Sequence, residues 1–359
     1  MKRVLSVLLA LILCLGMLAA CSSQPSSDPS GTNAPADTGT DKEETKDPIV
    51  LRLATTDGAE WPTSQACLRF AEEVEKATNG AVKVQVYLSG QLGDYTQNFE
   101  ELMRGSLDMA CIAISTSYDD RLNITRIPYL FENYEQVNTY MSEGTYYFEQ
   151  LNGILNDLGI ELISNWPNGF QGIGGAKVGS LDTLFDPAIK QEGAICRVPS
   201  IETTLKTAEA FGFQTVTVAY SDLYSALQTG VATCWMGGGN KANYDGFRDV
   251  INYWVEARYI LETQPLLVSA SVWEKIPEEY QRVIRDAAAK EFTALLDERP
   301  AIDEQALKNL KEYGIEVYIP SDDELASFAG YIRENVWPEL ENMFGAEFYH
   351  GLMKEFGLE

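Results

Sequence analysis

Histidine is almost missing: a single residue, His350, in a chain of 359. A Ser-His-Asp set or a multi-histidine metal site has nothing to draw on, so no catalytic set is expected. Cysteine is scarce and unclustered. Cys14, Cys21, Cys67, Cys111, Cys196 and Cys234 show no CxxC spacing, which argues against zinc-ribbon and thioredoxin-like chemistry. Positive charge is short as well: 27 Lys and Arg stand against 53 Asp and Glu, a formal charge of −26. That balance argues against nucleic acid or anionic lipid head groups as partners. It also repels an anionic ligand at long range, so any anion site must work by local contact. The glycine-rich pieces "QGIGGAKVG" and "MGGGNK" fit neither a Walker nor a dinucleotide pattern, and no cofactor is expected. Asp119-Asp120 reads as a pair of solvated loop carboxylates rather than metal ligands.

Only one long apolar run is present, Val4 to Ala20, preceded by Lys2 and Arg3. It is short and wrongly flanked for a membrane span, and residues 1–20 read as an export signal. The run ends in Leu18-Ala19-Ala20-Cys21, which resembles the lipobox of bacterial lipoproteins; the resemblance implies that Cys21 is lipidated and anchors the chain to a bacterial membrane on its extracytoplasmic side. An ordinary cleaved signal is the alternative. Ser22 to Pro48 offers only small, polar and charged residues, too little apolar surface to offset the entropy of ordering, so residues 21–48 read as a flexible tether. As a random coil it spans roughly 25–30 Å. Outside the cytoplasm, Cys67, Cys111, Cys196 and Cys234 either pair in one of three connectivities or stay as buried thiols, and both readings stand.

About 310 residues remain, enough for two domains with real cores. Ile49, Leu51 and Leu53 alternate with Val50, Arg52 and Ala54, a strand. Cys67, Phe70, Ala71 and Val74 recur at helical spacing up to Asn79-Gly80. Val82 to Leu88 alternates again, a helix follows over about Tyr95 to Arg104, and "LDMACIAIS" reads as a central strand. This βαβαβ order predicts a parallel sheet with right-handed crossovers. "ELISNWPNGF", "EGAICRVPS", "FQTVTVAY" and "PLLVSASVW" supply further strands. Helices are predicted over about Glu202–Phe211, over "SDLYSALQTG" closed by Gly230, over Pro277–Leu310 and over Asp322–Phe344. The expected organisation is one α/β lobe from residues 49–167 plus about 263–302, and a second from 168–262 plus about 303–359.

In "EGAICRVPS", Ala194, Cys196 and Val198 share one strand face, with Ile195 and Arg197 on the other, until Pro199 ends the pairing. A guanidinium in such an apolar strand needs an anionic partner. Ligands of open α/β sheets bind beyond the carboxyl ends of strands, where Arg197 lies together with Thr56, Ser115, Asn168 and Tyr220. An internal Arg–Asp or Arg–Glu bridge is the competing use of Arg197.

The ordered set of "FAEEVEKATNGAVKVQVYLSGQLGD", "ELMRGSLDMA", "IPYLFENYEQV", "EGAICRVPS", "VAYSDLYSALQTGV" and "VSASVWEKIPEEYQRVI" resembles the DctP-type solute-binding subunits of TRAP (tripartite ATP-independent periplasmic) transporters over nearly all of residues 49–290. The resemblance implies a two-lobe fold of the periplasmic-binding-protein kind (type II-like, TRAP solute-receptor variant), closing on a small organic acid and delivering it to membrane permease subunits. In this reading Arg197 clamps the ligand carboxylate through a planar fork. Tyr220 stands where the family keeps an aromatic residue, and Gln171 where it often has a second polar or arginine contact. The family's Asp-Gly-Gln-Glu-Asn-Pro run appears here as Thr233-Cys234-Trp235-Met236-Gly237-Gly238, its asparagine lost to Gly237, with Trp235 as a candidate contact. Asn168 either touches ligand or shapes its turn with Gly169. Thr56 and Ser115 present hydroxyls, with no acidic partner for an amino group. These departures favour a monocarboxylate with an apolar or aromatic portion, or a sugar acid, over a C4-dicarboxylate or a sialate. A sensor or adhesion lipoprotein that uses the same fold without transport is the alternative function.

Overall fold

The computed structural model describes residues 47–358. The export signal, Cys21 and all of the tether except Asp47 and Pro48 lie outside the described residues. Five strands form a first sheet. β1 (Ile49–Thr55), β2 (Val82–Tyr87) and β3 (Met109–Cys111) run parallel in the order β2-β1-β3, as the βαβαβ pattern predicts. β1 buries Leu51 and Leu53, while Arg52 on the opposite face is tied to Asp108 by Nε at 2.9 Å. The intervening helix, Pro62–Ala77, starts with proline in its first turn, where no N–H is required. It buries Ala66, Cys67, Phe70 and Val74. It ends where Asn79 and Gly80 turn to φ 51° and 81°, a left-handed conformation that Gly tolerates at no steric cost.

The same sheet gains β4 (Ile160–Phe170) and β10 (Leu261–Ser269), and here the structure departs from an all-parallel expectation. β10 is antiparallel to both β3 and β4, giving the order β2-β1-β3-β10-β4. The chain returns to this sheet from the opposite lobe, so it enters from the far end.

The second sheet contains β5 (Ile173–Gly175), β6 (Ile195–Val198), β7 (Gln214–Thr217), β8 (Cys234–Met236), β9 (Tyr253–Val255) and β11 (Glu316–Tyr318), in the order β11-β9-β5-β8-β6-β7. β5 lies inside the glycine-rich piece that the sequence gives no strand. Its composition follows from crowding. A Cβ on Gly172 stands 2.2 Å from the Val255 carbonyl oxygen and 2.6 Å from the Trp254 ring, and one on Gly175 stands 2.5 Å from Cys234 Cβ. No side chain fits at Gly172 or Gly175, so glycines stand on either side of the buried Ile173 where the neighbours are large.

Three segments connect the sheets. β4 runs through Gln171 into β5, and β9 runs back through Tyr259 into β10; the two crossings pair with each other through Gln171 N–H to the Ile260 carbonyl at 2.8 Å and Tyr259 N–H to the Gln171 carbonyl at 3.3 Å. The third is a single 36-residue helix, Glu278–Tyr313, continuous through Pro300 and longer than the sequence reading. It supports the first sheet, where the Trp166 indole donates to the Ala288 carbonyl at 3.0 Å, and then delivers β11 to the second. The predicted helix 322–344 divides at Pro338 into Asp322–Asn335 and Pro338–Phe344, followed by Ala346–Glu355, because proline has no N–H and crowds the preceding turn. These last helices touch both lobes. Phe328 stacks on Phe211 with ring centroids 4.1 Å apart. Glu355 accepts the N–H groups of Tyr146 and Tyr147 at 2.6 and 2.8 Å, satisfying two orphan donors at the start of helix Tyr146–Asp157. Among the described residues no helix is long and apolar enough to cross a membrane.

Candidate ligand-binding cleft

Arg197 occupies β6 with the predicted facing: Ala194, Cys196 and Val198 are fully buried on one side, and Arg197 leaves the other. Across the strands its register partner is Trp235 in β8, so both side chains rise from one face of the second sheet. The arginine residue is only 5% exposed. Its Nε–H donates to the Val218 carbonyl at 2.8 Å, which fixes the plane of the fork. Among the described residues it makes no ion pair. Burial depresses its pKa, opposed by the nearby phenols of Tyr259, Tyr220 and Tyr95 and by Cys196. The internal carboxylate bridge that competes with ligand binding is therefore absent among the described residues.

Tyr220 sits in a short 3-10 turn after β7 and is 61% exposed. Its hydroxyl pKa is pushed up to about 12, chiefly by desolvation and then by the charges of Glu262 and Asp57. Behind its ring lie Trp235, 6.3 Å away between centroids, and Phe247 at 6.2 Å. Trp235 itself is 2% exposed and donates its indole N–H to Asn243 Oδ1 at 3.0 Å. The residue is held against its own glycine turn: a Cβ on Gly237, at φ 150°, stands 2.4 Å from the indole ring. The structure thus makes Trp235 a packed wall behind Tyr220 and beside Arg197, and Gly237 is required by the indole.

From the other direction, β4 and β10 bring polar groups to the point where they leave the first sheet. Gln171 is buried and accepts from the Tyr259 hydroxyl at 2.9 Å. Asn168 is buried with Oδ1 left without a hydrogen bond. Ser115 is buried four residues beyond β3, and Thr56 lies partly buried just past the end of β1. Tyr95, at the start of helix Tyr95–Arg104, faces Arg197 closely enough to act on its charge. Lys241 of the second lobe lies 5.4 Å from the Trp61 ring centroid of the first. The lobes therefore meet around this gap.

Sequence reasoning missed two carboxylates. Asp57 follows Thr56 and accepts from the Thr63 hydroxyl at 3.0 Å. Its pKa is pushed up to about 6, first by burial and then by the charges of Glu262 and Glu60, against the Thr63 hydrogen bond. Glu262, opposite Gly169 in the β10–β4 register, is also raised by burial, offset by Arg126, by a hydrogen bond from Gln171 and by Arg299. The expectation that the gap offers no acidic partner for an amino group is corrected: both carboxylates act on Tyr220, which also feels Arg197. A charged residue just past a strand reads as solvated loop, and here Thr63 from the following helix holds the carboxylate part-buried. Arg299 was missed for a related reason. It is fully buried in the long helix, bonded to Asp303 at 3.2 Å with Nε and Nη1 unpaired, although its place in a charged helix suggests a surface.

Cys67, Cys111, Cys196 and Cys234 are all free and buried. Cys196 and Cys234 are direct register partners in β6 and β8, and burial raises the thiol pKa of Cys111 and of Cys196.

A gap between two α/β lobes, with a buried guanidinium at one wall, invites comparison with known binding proteins. The profile of the bacterial extracellular solute-binding proteins, family 7 (DctP), matches residues 53–342. The C4-dicarboxylate-binding periplasmic protein DctP of Rhodobacter capsulatus is 24% identical over 303 residues, which are 79% of this chain and 88% of that protein. A TRAP periplasmic solute binding protein from Desulfovibrio salexigens, crystallised with bound orotic acid, superposes with a TM-score of 0.76 at 22% identity over 86% of this chain and 99% of that one. The sugar acid binding protein DctPAm from Advenella mimigardefordensis, in complex with galactonate, gives a TM-score of 0.73 at 23% identity, covering 86% and 98%. With most of its length matched by the profile and its two-sheet fold shared with these receptors, the chain belongs to the DctP family of bacterial extracellular solute-binding proteins.

Proposed function

We propose that this protein captures a small organic acid through a carboxylate held by Arg197 and hands it to the membrane subunits of a TRAP-type transporter, without chemical change to the ligand. The observation that carries the reading is the Arg197 fork: buried, oriented by Val218, and lacking a carboxylate partner among the described residues. Desolvated guanidinium is costly unless an anion meets it, and a carboxylate answers it with two charge-assisted bonds. Orotate and galactonate in the related receptors are both carboxylates, which supports the same class here. Thr56, Ser115, Asn168, Gln171 and Tyr220 supply the remaining polar contacts, and Trp235 backs Tyr220. The paired crossings at Gln171 and Tyr259 are the place where the lobes rotate; ligand shifts the balance through contacts made only when the gap is shut. The lipid on Cys21 holds this receptor at the outer face of the membrane, at the end of its tether.

A thermal-shift screen of carboxylates tests the reading. A ligand present at a hundred times its Kd adds about 2.7 kcal/mol of stability, readily seen as a rise in Tm. Stabilisation by one chemical group of carboxylates is expected. Stabilisation by neutral solutes alone rejects the proposal.

A further inference from the structure

We infer that the uncapped amino end of the helix Asn240–Phe247 is the second half of the anion site, where backbone N–H groups of Gly239 and Asn240 donate to the acid group that Arg197 holds. The inference rests on the carboxylate-receptor reading and adds a partner that no side chain supplies.

Its placement follows from the second sheet. Arg197, Trp235 and Gly174 are register neighbours across β6, β8 and β5, so they share one face. Asn243 of the helix stands over that face. Its Oδ1 lies 2.8 Å from the Cβ position of Gly174 and accepts the Trp235 indole N–H at 3.0 Å. Its Nδ2 donates to the Gly237 and Gly239 carbonyls at 3.2 and 3.1 Å. The helix is thus pinned to the indole beside the arginine, and it starts after three glycines at the carboxyl end of β8. The guanidinium is held at the same end of the sheet, because its Nε–H bonds to Val218, one residue past β7. The first lobe borders this point as well. The Cβ position of Gly239 is 3.3 Å from the Phe170 carbonyl oxygen and 3.9 Å from that of Asn168, and Lys241 lies over the Trp61 ring.

The first four N–H groups of a helix have no acceptor within it. Here those of Gly239, Asn240, Lys241 and Ala242 have no other partner among the described residues. Gly239 and Asn240 are buried, the latter to 3% exposure, and buried backbone donors without a partner are rare. Gly239 holds the extended conformation of a capping residue, φ −85° and ψ −174°, yet has no side chain to cap with. The first turn carries no acidic residue, and its one charge is Lys241, tied to Asp245. Both features forgo stability that a capping Asp or Ser and nearby negative charge provide. Glu256 comes close, but its carboxylate takes the Asn240 side-chain amide and Arg258, each at 3.4 Å, and none of these backbone groups.

The independent observation is Arg197 itself, 5% exposed, with its fork unpaired beyond Nε. A cation and a helix amino end, on one face and at one end of a sheet, both lack an acceptor. A carboxylate offers about four acceptor positions. The fork fills two, and backbone N–H groups fill others without adding a charge that must be desolvated. The ligand's acid group then completes the cap that the chain omits.

Three variants at Gly239 separate the cap from the space it needs. Each adds the same Cβ: Gly239→Ala adds nothing more, Gly239→Ser brings a neutral acceptor, and Gly239→Asp brings a carboxylate that takes the ligand's place. Without ligand, Gly239→Asp is expected to melt about 2–4 °C above Gly239→Ala, because it satisfies donors that were free. Galactonate, orotate and benzoate serve as carboxylate probes in calorimetric titrations. A probe that binds wild type is expected to bind Gly239→Asp at least about tenfold more weakly than Gly239→Ala, with Gly239→Ser between them. Amide spectra of the 15N-labelled wild type give a second readout: the Gly239 and Asn240 N–H protons move downfield and exchange more slowly once the probe is bound.

Affinities of Gly239→Asp and Gly239→Ala within about twofold of each other, amide protons unmoved by a bound probe, or a Gly239→Asp variant that melts no higher than Gly239→Ala overturns the inference. The carboxylate receptor survives each of these results when Arg197→Ala still abolishes binding. Binding indifferent to Arg197→Ala, or silence of every probe toward the wild type, counts against both readings.

Discussion

Replacing Asp57 by asparagine should stabilise the ligand-free protein, and by an amount that depends on pH. Burial and the charges of Glu262 and Glu60 lift its pKa from 3.8 to about 6. The folded protein therefore binds its proton more tightly than the unfolded chain does. Between the two values the native state holds more protons, so this group's contribution to stability falls as pH rises through that window. Above about pH 7 the cost is complete: a difference of about two pKa units at 1.36 kcal/mol each is about 3 kcal/mol. Asparagine keeps an acceptor for the Thr63 hydroxyl and carries no charge to desolvate. Melting temperatures of wild type and Asp57→Asn, measured in parallel from pH 4 to pH 8, cancel the titration of every other group. The variant should match wild type near pH 4 and exceed it by several degrees at pH 8. An offset that stays constant across the range, or a variant less stable at pH 8, refutes the reading of Asp57 as a part-buried carboxylate with no ion-pair partner among the described residues.

Further outcomes follow from the same geometry. Trp235→Ala should cost about 3–5 kcal/mol of stability, as for any fully buried indole, whereas Tyr220→Ala should change stability by no more than about 0.5 kcal/mol while weakening binding; melting curves and titrations of the two variants separate wall from contact. Gly172→Ala places a methyl group 2.2 Å from the Val255 oxygen, against backbone that cannot swing away. Its destabilisation should reach or exceed the upper end of the about 1–3 kcal/mol typical of overpacking, read by thermal or denaturant unfolding. Cys67, Cys111, Cys196 and Cys234, buried and free, should resist a thiol-alkylating reagent in the native protein and all react after unfolding, as counted by mass spectrometry; rapid labelling of any of them in the folded state contradicts their burial.

Legibility followed the length of the pattern and the locality of its cause. β1, β2 and the helix Pro62–Ala77 are readable because alternation and helical spacing run over six or more residues. Three-residue strands such as β5, β8, β9 and β11 show no period at all, and β5 is further disguised because its glycines answer to Trp254, Val255 and Cys234 from elsewhere in the chain. Antiparallel β10 was visible as a strand, but its direction depends on where the chain re-enters the first sheet. At the site, Arg197 announced itself by standing in an apolar strand stopped by proline. Asp57, Glu262 and Arg299 did not, since each is a charged residue in a locally polar stretch; the first two are part-buried and Arg299 fully so. Trp235 shows the converse: an aromatic residue beside a candidate clamp reads as a contact until Asn243 and Gly237 are seen to hold it in place.

The most direct test of the account is the affinity of the ligand found by the screen for Arg197→Ala, alongside the melting temperature of that variant without ligand. Loss of the guanidinium partner from a desolvated pair costs about 2–5 kcal/mol, so Kd should rise by about thirty-fold to several thousand-fold. Ligand-free stability should change by only about 1 kcal/mol, because the side chain gives up a single hydrogen bond to Val218. A variant that binds within about twofold of wild type, or that melts far below it before any ligand is added, contradicts the claim that Arg197 is held for an incoming carboxylate.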